Sequence, residues 1–226
     1  MKRTFGKSLL VASILVGGLG QTGEAGSTDS AETGRKIVVH IVNHAQVDRK
    51  VLDQAREITN RIFQQAGVEA VVLEHNPETE ATDLPHPEVP RLGHLFVDVL
   101  PRERVERLGL PANFMGFAPA ASHVPERRNV FVFNHMVEKL ARTQVLIAVE
   151  GKISRIPDKA QILGHAIAHE IGHLLLHMAP HSRQGIMQAN WDRAAMHDMA
   201  VGRLIFRPDE VERIQTEVVR RTGHSF

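Results

Sequence analysis

The chain has 226 residues, of which 42% are hydrophobic, 23% charged and 4% aromatic, and it contains no cysteine. These fractions are typical of a globular protein of one domain and exclude a disordered or collagen-like chain. Lysine and arginine (27) nearly balance aspartate and glutamate (26), and no basic block is present, which argues against nucleic acid as the main partner. Without disulfides the fold must depend on its core or on a metal ion, and the 14 histidines are unusually many.

The N-terminus has the pattern of a processing signal. Basic residues precede a short apolar run, and small residues follow it up to Ala25. The run is too short for an ordinary transmembrane helix. We therefore predict a signal peptide over residues 1–25 with a plausible cleavage site at 23–25, a polar linker over 26–35 and one folded domain over 36–226. The alternatives are an uncleaved anchor and a frayed N-terminus. The mature protein is expected to be secreted or periplasmic, with no stable membrane anchor after cleavage.

The domain begins with the pattern strand, helix, strand. Residues 36–42 are β-branched on both faces and predict a buried strand. Asp48 is a suitable N-cap for an amphipathic helix over 48–66, which Gly67 would end. Residues 69–73 predict a second strand. This order favours a βαβ unit in which the two strands pair in parallel.

The middle of the chain alternates loops and strands before it turns helical. Residues 75–91 lack hydrophobic periodicity and predict a long loop, which is usually functional or mobile. Residues 94–99 and 129–133 predict strands, and a loop rich in glycine, proline and alanine separates them. Near the C-terminus, residues 192–201 and 208–221 predict two helices.

The chemistry is concentrated in an HExxH motif, with His169 and His173 on either side of Glu170. Residues four apart lie on one face of a helix, so the two imidazoles can hold one zinc ion while Glu170 acts as a general base. Asp158 and Gln161 form a capping-box pattern at the start of this helix. The alternative is a histidine-rich helix whose imidazoles face solvent. The strong apolar character of the segment argues against that alternative, because unpaired buried imidazoles would cost several kcal/mol.

A third protein ligand has several candidates. His165 and His177 continue the same helical row but lie too far along the helix axis to share the ion. Asp192 or Asp198 could serve if the chain returned by a second helix. His181 follows a proline that disfavours helix at the preceding residue, so a turn there can bring His181 back to the metal.

These residues resemble a known family. HEIGHLLL, then His181-Ser182 and then residues 185–187 (GIM) are similar to the metzincin zinc peptidases, and most of all to their matrixin branch, where HExxHxxGxxHS precedes a methionine turn. The resemblance implies that Glu170 is the catalytic base and that Met187 lies beneath the metal ligands. It implies three ligands for one catalytic zinc ion: His169, His173 and His181.

The motif departs from the family pattern in two respects. Leu176 stands where the family has glycine, and two additional residues separate His173 from His181. We therefore expect the helix to run about half a turn further and to end at 179–180. The chain also has no tyrosine, so an oxyanion would have to be stabilised by the metal and by backbone N–H groups.

Two further predictions concern residues outside the motif. Trp191, the sole tryptophan, is interpreted as a core anchor rather than a substrate contact. His75, His86, His94 and His135 are candidates for a second, structural metal site, although scattered surface histidines are the commoner arrangement.

The combined interpretation is an α+β, zincin-like single domain. It comprises a twisted mixed sheet with a packed helix, an active-site helix and a small C-terminal helical lobe. The predicted function is that of a secreted zinc metalloendopeptidase acting on a peptide or protein substrate, whose extended backbone would pair with an edge strand at Asn129–Phe133. The alternatives are a non-catalytic, zinc-stabilised binding protein and a zinc hydrolase of a non-peptide amide or ester.

Overall fold

A computed structural model of the chain describes five stretches of residues: 35–75, 93–119, 129–149, 155–177 and 181–223. The predicted signal peptide and His86 lie outside these stretches, as do nearly all of the predicted linker and of the long loop. No helix within the described stretches is long and apolar enough to cross a membrane.

The sheet has five strands in the order β2-β1-β3-β5-β4. Their bounds are β1 Lys36–Asn43, β2 Glu69–His75, β3 His94–Leu100, β4 Gly116–Phe117 and β5 Asn129–Phe133. The pairs β1/β2, β1/β3 and β3/β5 are parallel, which confirms the predicted βαβ unit, whereas β4 pairs antiparallel with β5. The prediction that β5 is an edge strand is wrong, because β4 lies outside it. A strand of two residues is too short to show the alternation that identifies strands in a sequence.

The described residues form six helices. Their bounds are α1 Arg49–Gln65, α2 Arg102–Arg107, α3 Asn134–Val149, α4 Lys159–Leu176, α5 Arg193–Ala200 and α6 Pro208–Thr222. The predicted caps are confirmed. The Asp48 side chain accepts hydrogen bonds from the first turn of α1, and Asp158 and Gln161 form the capping box of α4.

The main core lies between one face of the sheet and the helices α1 and α4. Successive residues of a strand point to opposite faces, and Ile37, Val39 and Ile41 of β1 are fully buried on the helical side. Fifteen of the eighteen residues of α4 are buried, including His169 and Glu170. The alternative of a helix whose motif residues face solvent is therefore wrong for these two. α4 is the central element of the core as well as the carrier of the HExxH motif.

The opposite face of the sheet carries a row of three histidines, which we call the histidine row. Nδ1 of His40 lies 2.8 Å from Nε2 of His75, and Nε2 of His40 lies 2.8 Å from Nδ1 of His94. His40 is 3% exposed, and its ring stacks on Phe96. Burial, together with the neighbouring His75 and His94, lowers the pKa of His40 to about 4, so this imidazole is neutral near pH 7.

The predicted second metal site is not assembled by the described histidines. His75 and His94 are separated by His40, while Nε2–H of His135 donates to the carbonyl of Ala112, 2.9 Å away. The only group of three potential metal ligands in the described stretches lies elsewhere in the fold. The described residues therefore give no support to a second metal site, and His86 lies outside them. Strand register decides which histidines meet, and no local pattern in the sequence shows it.

The histidine row makes a prediction about pH and stability. The pKa of His40 is lower in the folded protein than its usual 6.5, so its contribution is fully present above about pH 6.5 and is lost as pH falls toward 4. Between about pH 7.5 and pH 5, we expect the melting temperature of His40→Gln to fall a few degrees less than that of the parent, because glutamine takes up no proton. Thermal melts at the two pH values measure this difference.

The control is His197→Gln, which changes an exposed histidine of α5. Its melting temperature should follow that of the parent at both pH values. Equal falls in the parent and in His40→Gln would contradict the assignment of this pH dependence to the row.

Candidate metal centre

The first two histidines of the site are fixed by α4. His169 and His173 lie one turn apart on the same face of the helix, with their Nε2 atoms 3.1 Å apart. Their rings are nearly perpendicular, at 82°. Because α4 is buried along most of its length, the two imidazoles have little freedom to separate.

The end of α4 differs from the prediction. The helix ends at Leu176, and His177 closes it in the left-handed conformation, with φ 51° and ψ 37°. Glycine or asparagine usually occupies such a position. Here Nε2 of His177 lies 2.8 Å from a carboxylate oxygen of Glu217 in α6. The predicted extension to 179–180 is thus wrong, because the turn comes one residue after Leu176 even without a glycine.

The chain beyond this turn brings a third histidine to the same point. The ring of His181 lies 5.3 Å from the ring of His169 and 4.9 Å from that of His173, measured between centroids. One ligand nitrogen from each of the three lies within 4.8 Å of the others. We call His169, His173 and His181 the three-histidine group.

The other candidates for a third ligand have different partners. The Nδ1–H group of His165 donates to the carbonyl of Gln161, and its ring is buried. The carboxylate of Asp192 caps α5, and that of Asp198 accepts hydrogen bonds from Arg203 at 2.9 Å and 3.2 Å. None of them belongs to the three-histidine group.

The segment that carries Met187 passes directly beneath α4. The Nδ1–H group of His169 donates to the carbonyl oxygen of Ile186 at 2.8 Å, and the indole N–H of Trp191 donates to the same oxygen at 3.0 Å. The first bond fixes the tautomer of His169 and leaves its Nε2 lone pair facing the other histidines. Trp191 packs against the core as predicted, but it also lines the cavity described below.

The three-histidine group fits a zinc ion. Two ligands of a tetrahedral zinc ion with bonds of about 2.0–2.1 Å lie roughly 3.3 Å apart, close to the 3.1 Å between His169 and His173. Burial, followed by the neighbouring His173, lowers the pKa of His169 to about 3, and burial also lowers the pKa of His181. Both imidazoles are therefore neutral near pH 7, which is the form in which histidine binds metals.

Glu170 lies between the histidines and the edge of the sheet. It is 4% exposed, and burial raises the pKa of its carboxyl group to about 8. A Cβ atom at Gly116 would lie 2.6 Å from Oε1 of Glu170, so the carboxylate touches the backbone of β4. A cation bound nearby would lower this pKa and favour the carboxylate form.

A cavity of about 700 Å³ opens onto the three-histidine group and Glu170. Its apolar walls come mainly from the loop around β4 and from α3, and include Phe114, Phe117, Met136 and Leu140. Neither wall was predicted from the sequence. The helical spacing of Val137, Leu140 and Ala141 could have indicated α3, whereas the two residues of β4 carry no periodic signal.

The chain was compared with family models, curated proteins and solved structures. No family model and no curated protein matches the chain. Among solved structures, the chain is similar to a zinc-dependent peptidase from Methanocorpusculum labreanum (strain Z), with a TM-score of 0.46 and 13% sequence identity. The match covers 78% of this chain and 99% of that chain. The properties of the site given above are those of this chain's own residues.

The close approach of Met187 to α4 makes a prediction about packing. A Cβ atom at Gly172 would lie 2.6 Å from Sδ of Met187 and 2.9 Å from Cε1 of Phe206, both buried. We therefore expect Gly172→Ala to lower the free energy of unfolding by about 1–3 kcal/mol. Denaturant unfolding of the two proteins measures this loss.

A double-mutant cycle identifies the cause of the loss. In a Met187→Ala background the obstacle at Sδ is gone, so Gly172→Ala should cost less than it does in the parent. The same cost in both backgrounds would show that Met187 does not limit the space above Gly172.

Proposed function

We propose that this protein is a zinc-dependent metallopeptidase of the matrixin-like metzincin type, with a zincin-like domain over residues 36–226. The observation that carries the proposal is the buried carboxylate of Glu170 beside the three-histidine group, at the wall of one open cavity. Three converging imidazoles favour zinc, and catalytic zinc sites have three protein ligands and one open position.

Each residue of the site has a role in this reaction. His169, His173 and His181 would hold the ion, and Met187 would support them from beneath. A bound zinc ion would polarise the substrate carbonyl and lower the pKa of the attacking water. Glu170 would accept a proton from the water as the water oxygen attacks the carbonyl carbon. It would then donate a proton to the leaving nitrogen as the C–N bond breaks.

The edge strand favours a peptide over other amides or esters. β4 is the last strand of the sheet, its Gly116 touches Glu170, and both of its residues line the cavity. An extended peptide can add to such an edge through main-chain hydrogen bonds. That pairing would place a substrate backbone beside Glu170 and the three-histidine group.

A purely structural zinc site is disfavoured by its ligand number and by Glu170. Structural zinc sites are closed by four protein ligands, whereas three gather in the part of the chain that the structure describes. A buried carboxyl group with a raised pKa beside the ligands is typical of a catalytic acid or base.

The proposal includes export of the protein from the cytoplasm. The basic start and short apolar run of residues 1–25 have the pattern of a secretory signal. A secreted or periplasmic peptidase without disulfides would depend on its core, and on its metal ion, for stability outside the cytoplasm.

Glu170→Gln tests the catalytic mechanism. Glutamine keeps the size of the side chain but cannot accept the proton, so turnover of a peptide substrate should fall by about 10²–10⁴ while zinc remains bound. The measurements are hydrolysis of a peptide library and zinc content of the purified variant. Glu212→Gln, at an exposed glutamate of α6, is the control and should keep full activity. Equal hydrolysis by Glu170→Gln and the parent would refute the proposed mechanism.

Removal of the metal tests the ligand set. Zinc at about 100 times its Kd should stabilise the native state by about 2.7 kcal/mol, so chelation should lower the melting temperature by roughly 5–10 °C. In His181→Ala the same treatment should have a much smaller effect, because one ligand is missing. If verified zinc removal left the melting temperature of the parent unchanged, the three-histidine group would not be a zinc site.

A further inference from the structure

Two glutamates of α6 are buried and have no part in the proposed reaction. Glu210 and Glu217 are 2% and 6% exposed, and they lie seven positions apart, about two turns along the same face of the helix. Glutamate is rarely buried unless it is paired. Each of these carboxylates has one partner on the segment that joins α4 to the methionine turn.

Glu217 holds the start of that segment. Its carboxylate accepts hydrogen bonds from Arg220 and Arg221 at 2.7 Å, and Nε2 of His177 lies 2.8 Å away. Burial alone would raise the pKa of Glu217, but the hydrogen bonds from these three partners outweigh burial and lower the pKa to about 2. The group is therefore an ionised carboxylate at neutral pH. His177 is thereby held in the left-handed conformation, which costs free energy for a residue other than glycine.

Other side chains of α6 support the same end of α4. Nη2 of Arg213 donates to the carbonyl of Leu176 at 2.7 Å, and Nη2 of Arg221 donates to the carbonyl of Leu174 at 3.2 Å. The last carbonyls of a helix lack partners within the helix. α6 therefore supplies partners for the point at which the chain leaves α4.

Glu210 holds the far end of the segment. Its Oε1 accepts a hydrogen bond from the hydroxyl of Ser182, the residue directly after His181. Its Oε2 accepts a hydrogen bond from the backbone N–H of Arg207 at 2.8 Å, which fixes the carboxylate at the start of α6. The backbone N–H of Ser182 also donates to the carbonyl of Met187 at 2.8 Å.

We infer that Glu210 and Glu217 are positioning residues, which hold the two ends of the segment around His181 and so place its imidazole opposite His169 and His173. The inference rests on the proposed function, because it takes His181 as a metal ligand. His169 and His173 are placed by a buried helix, whereas His181 is exposed and follows a turn. Without the two carboxylates, the free-energy cost of ordering His181 at the ion would reduce the free energy of metal binding.

Two variants each remove one of the contacts between the segment and the two glutamates. His177→Gly removes the contact with Glu217 and also relieves the left-handed conformation, so the metal-free protein should be as stable as the parent. Ser182→Ala removes only the hydroxyl that Glu210 holds. We expect the Kd for zinc to rise about tenfold or more in each variant, the size of effect seen when residues that orient metal ligands are lost. Competition with a chelator of known affinity measures Kd, and the visible spectrum of the Co²⁺-loaded protein reports ligand geometry.

The controls separate positioning from general stability. His197→Ala and Thr216→Ala remove an exposed histidine and an exposed hydroxyl from the neighbouring helices, and both should bind zinc like the parent. Ser182→Thr keeps a hydroxyl and should restore most of the affinity lost in Ser182→Ala. In the metal-free state, the melting temperature of His177→Gly should not fall.

The outcomes distinguish this inference from the proposed function. The inference is overturned if His177→Gly and Ser182→Ala keep the zinc Kd and the Co²⁺ spectrum of the parent. It is also overturned if their affinity falls only in step with the stability of the metal-free protein. If the parent binds no zinc, or if His169→Ala binds it equally well, the proposed function fails and the inference fails with it.

Discussion

The hydrogen bond from His169 to the carbonyl of Ile186 joins the two parts of the chain that make up the site. A neutral imidazole has one N–H group and one lone pair, so donation from Nδ1 to Ile186 directs the lone pair of Nε2 toward the other two histidines. Burial keeps this imidazole neutral. Trp191 donates to the same carbonyl and fixes its orientation from the other side. A change in any one of these groups would alter the direction in which His169 presents its lone pair.

α4 combines two demands that are usually kept apart in a protein. It is the central helix of the core, and yet it carries His169 and Glu170, whose burial without partners would be costly. The cost is reduced locally by Ile186 for His169, while Glu170 remains a buried carboxyl group with a raised pKa. Packing fixes the geometry of the helix, and burial keeps the imidazole of His169 neutral, with a lone pair that a cation can bind. Burial therefore both fixes the geometry of α4 and keeps its metal-binding histidine neutral.

Local patterns in the sequence were sufficient for most of the elements. The caps and apolar stripe of α1 and the β-branched runs of the longer strands each depend on neighbouring residues, and HExxH depends on one helical turn. Apart from α3, whose helical spacing is a local signal, the main features that were missed depend on distant contacts. β4 exists because it pairs with β5, α4 ends at Leu176 because His177 meets a carboxylate forty residues further on, and His40 meets two other histidines through strand register. The turn expected at Pro180 and the family resemblance both favoured His181 as the third ligand, although no local pattern specifies where a turn leads.

The composition of the chain makes Trp191 its principal source of ultraviolet fluorescence. The sequence contains a single tryptophan and no tyrosine, so near-ultraviolet excitation reaches essentially one emitting side chain, Trp191. The centroid of that ring lies 5.8 Å from the centroid of His169, and the two rings are almost perpendicular. Ultraviolet emission from this protein is therefore a local optical signal from the three-histidine group, free of background from other parts of the fold. A paramagnetic ion seated there would quench nearly all of it, so occupancy can be followed continuously without any label.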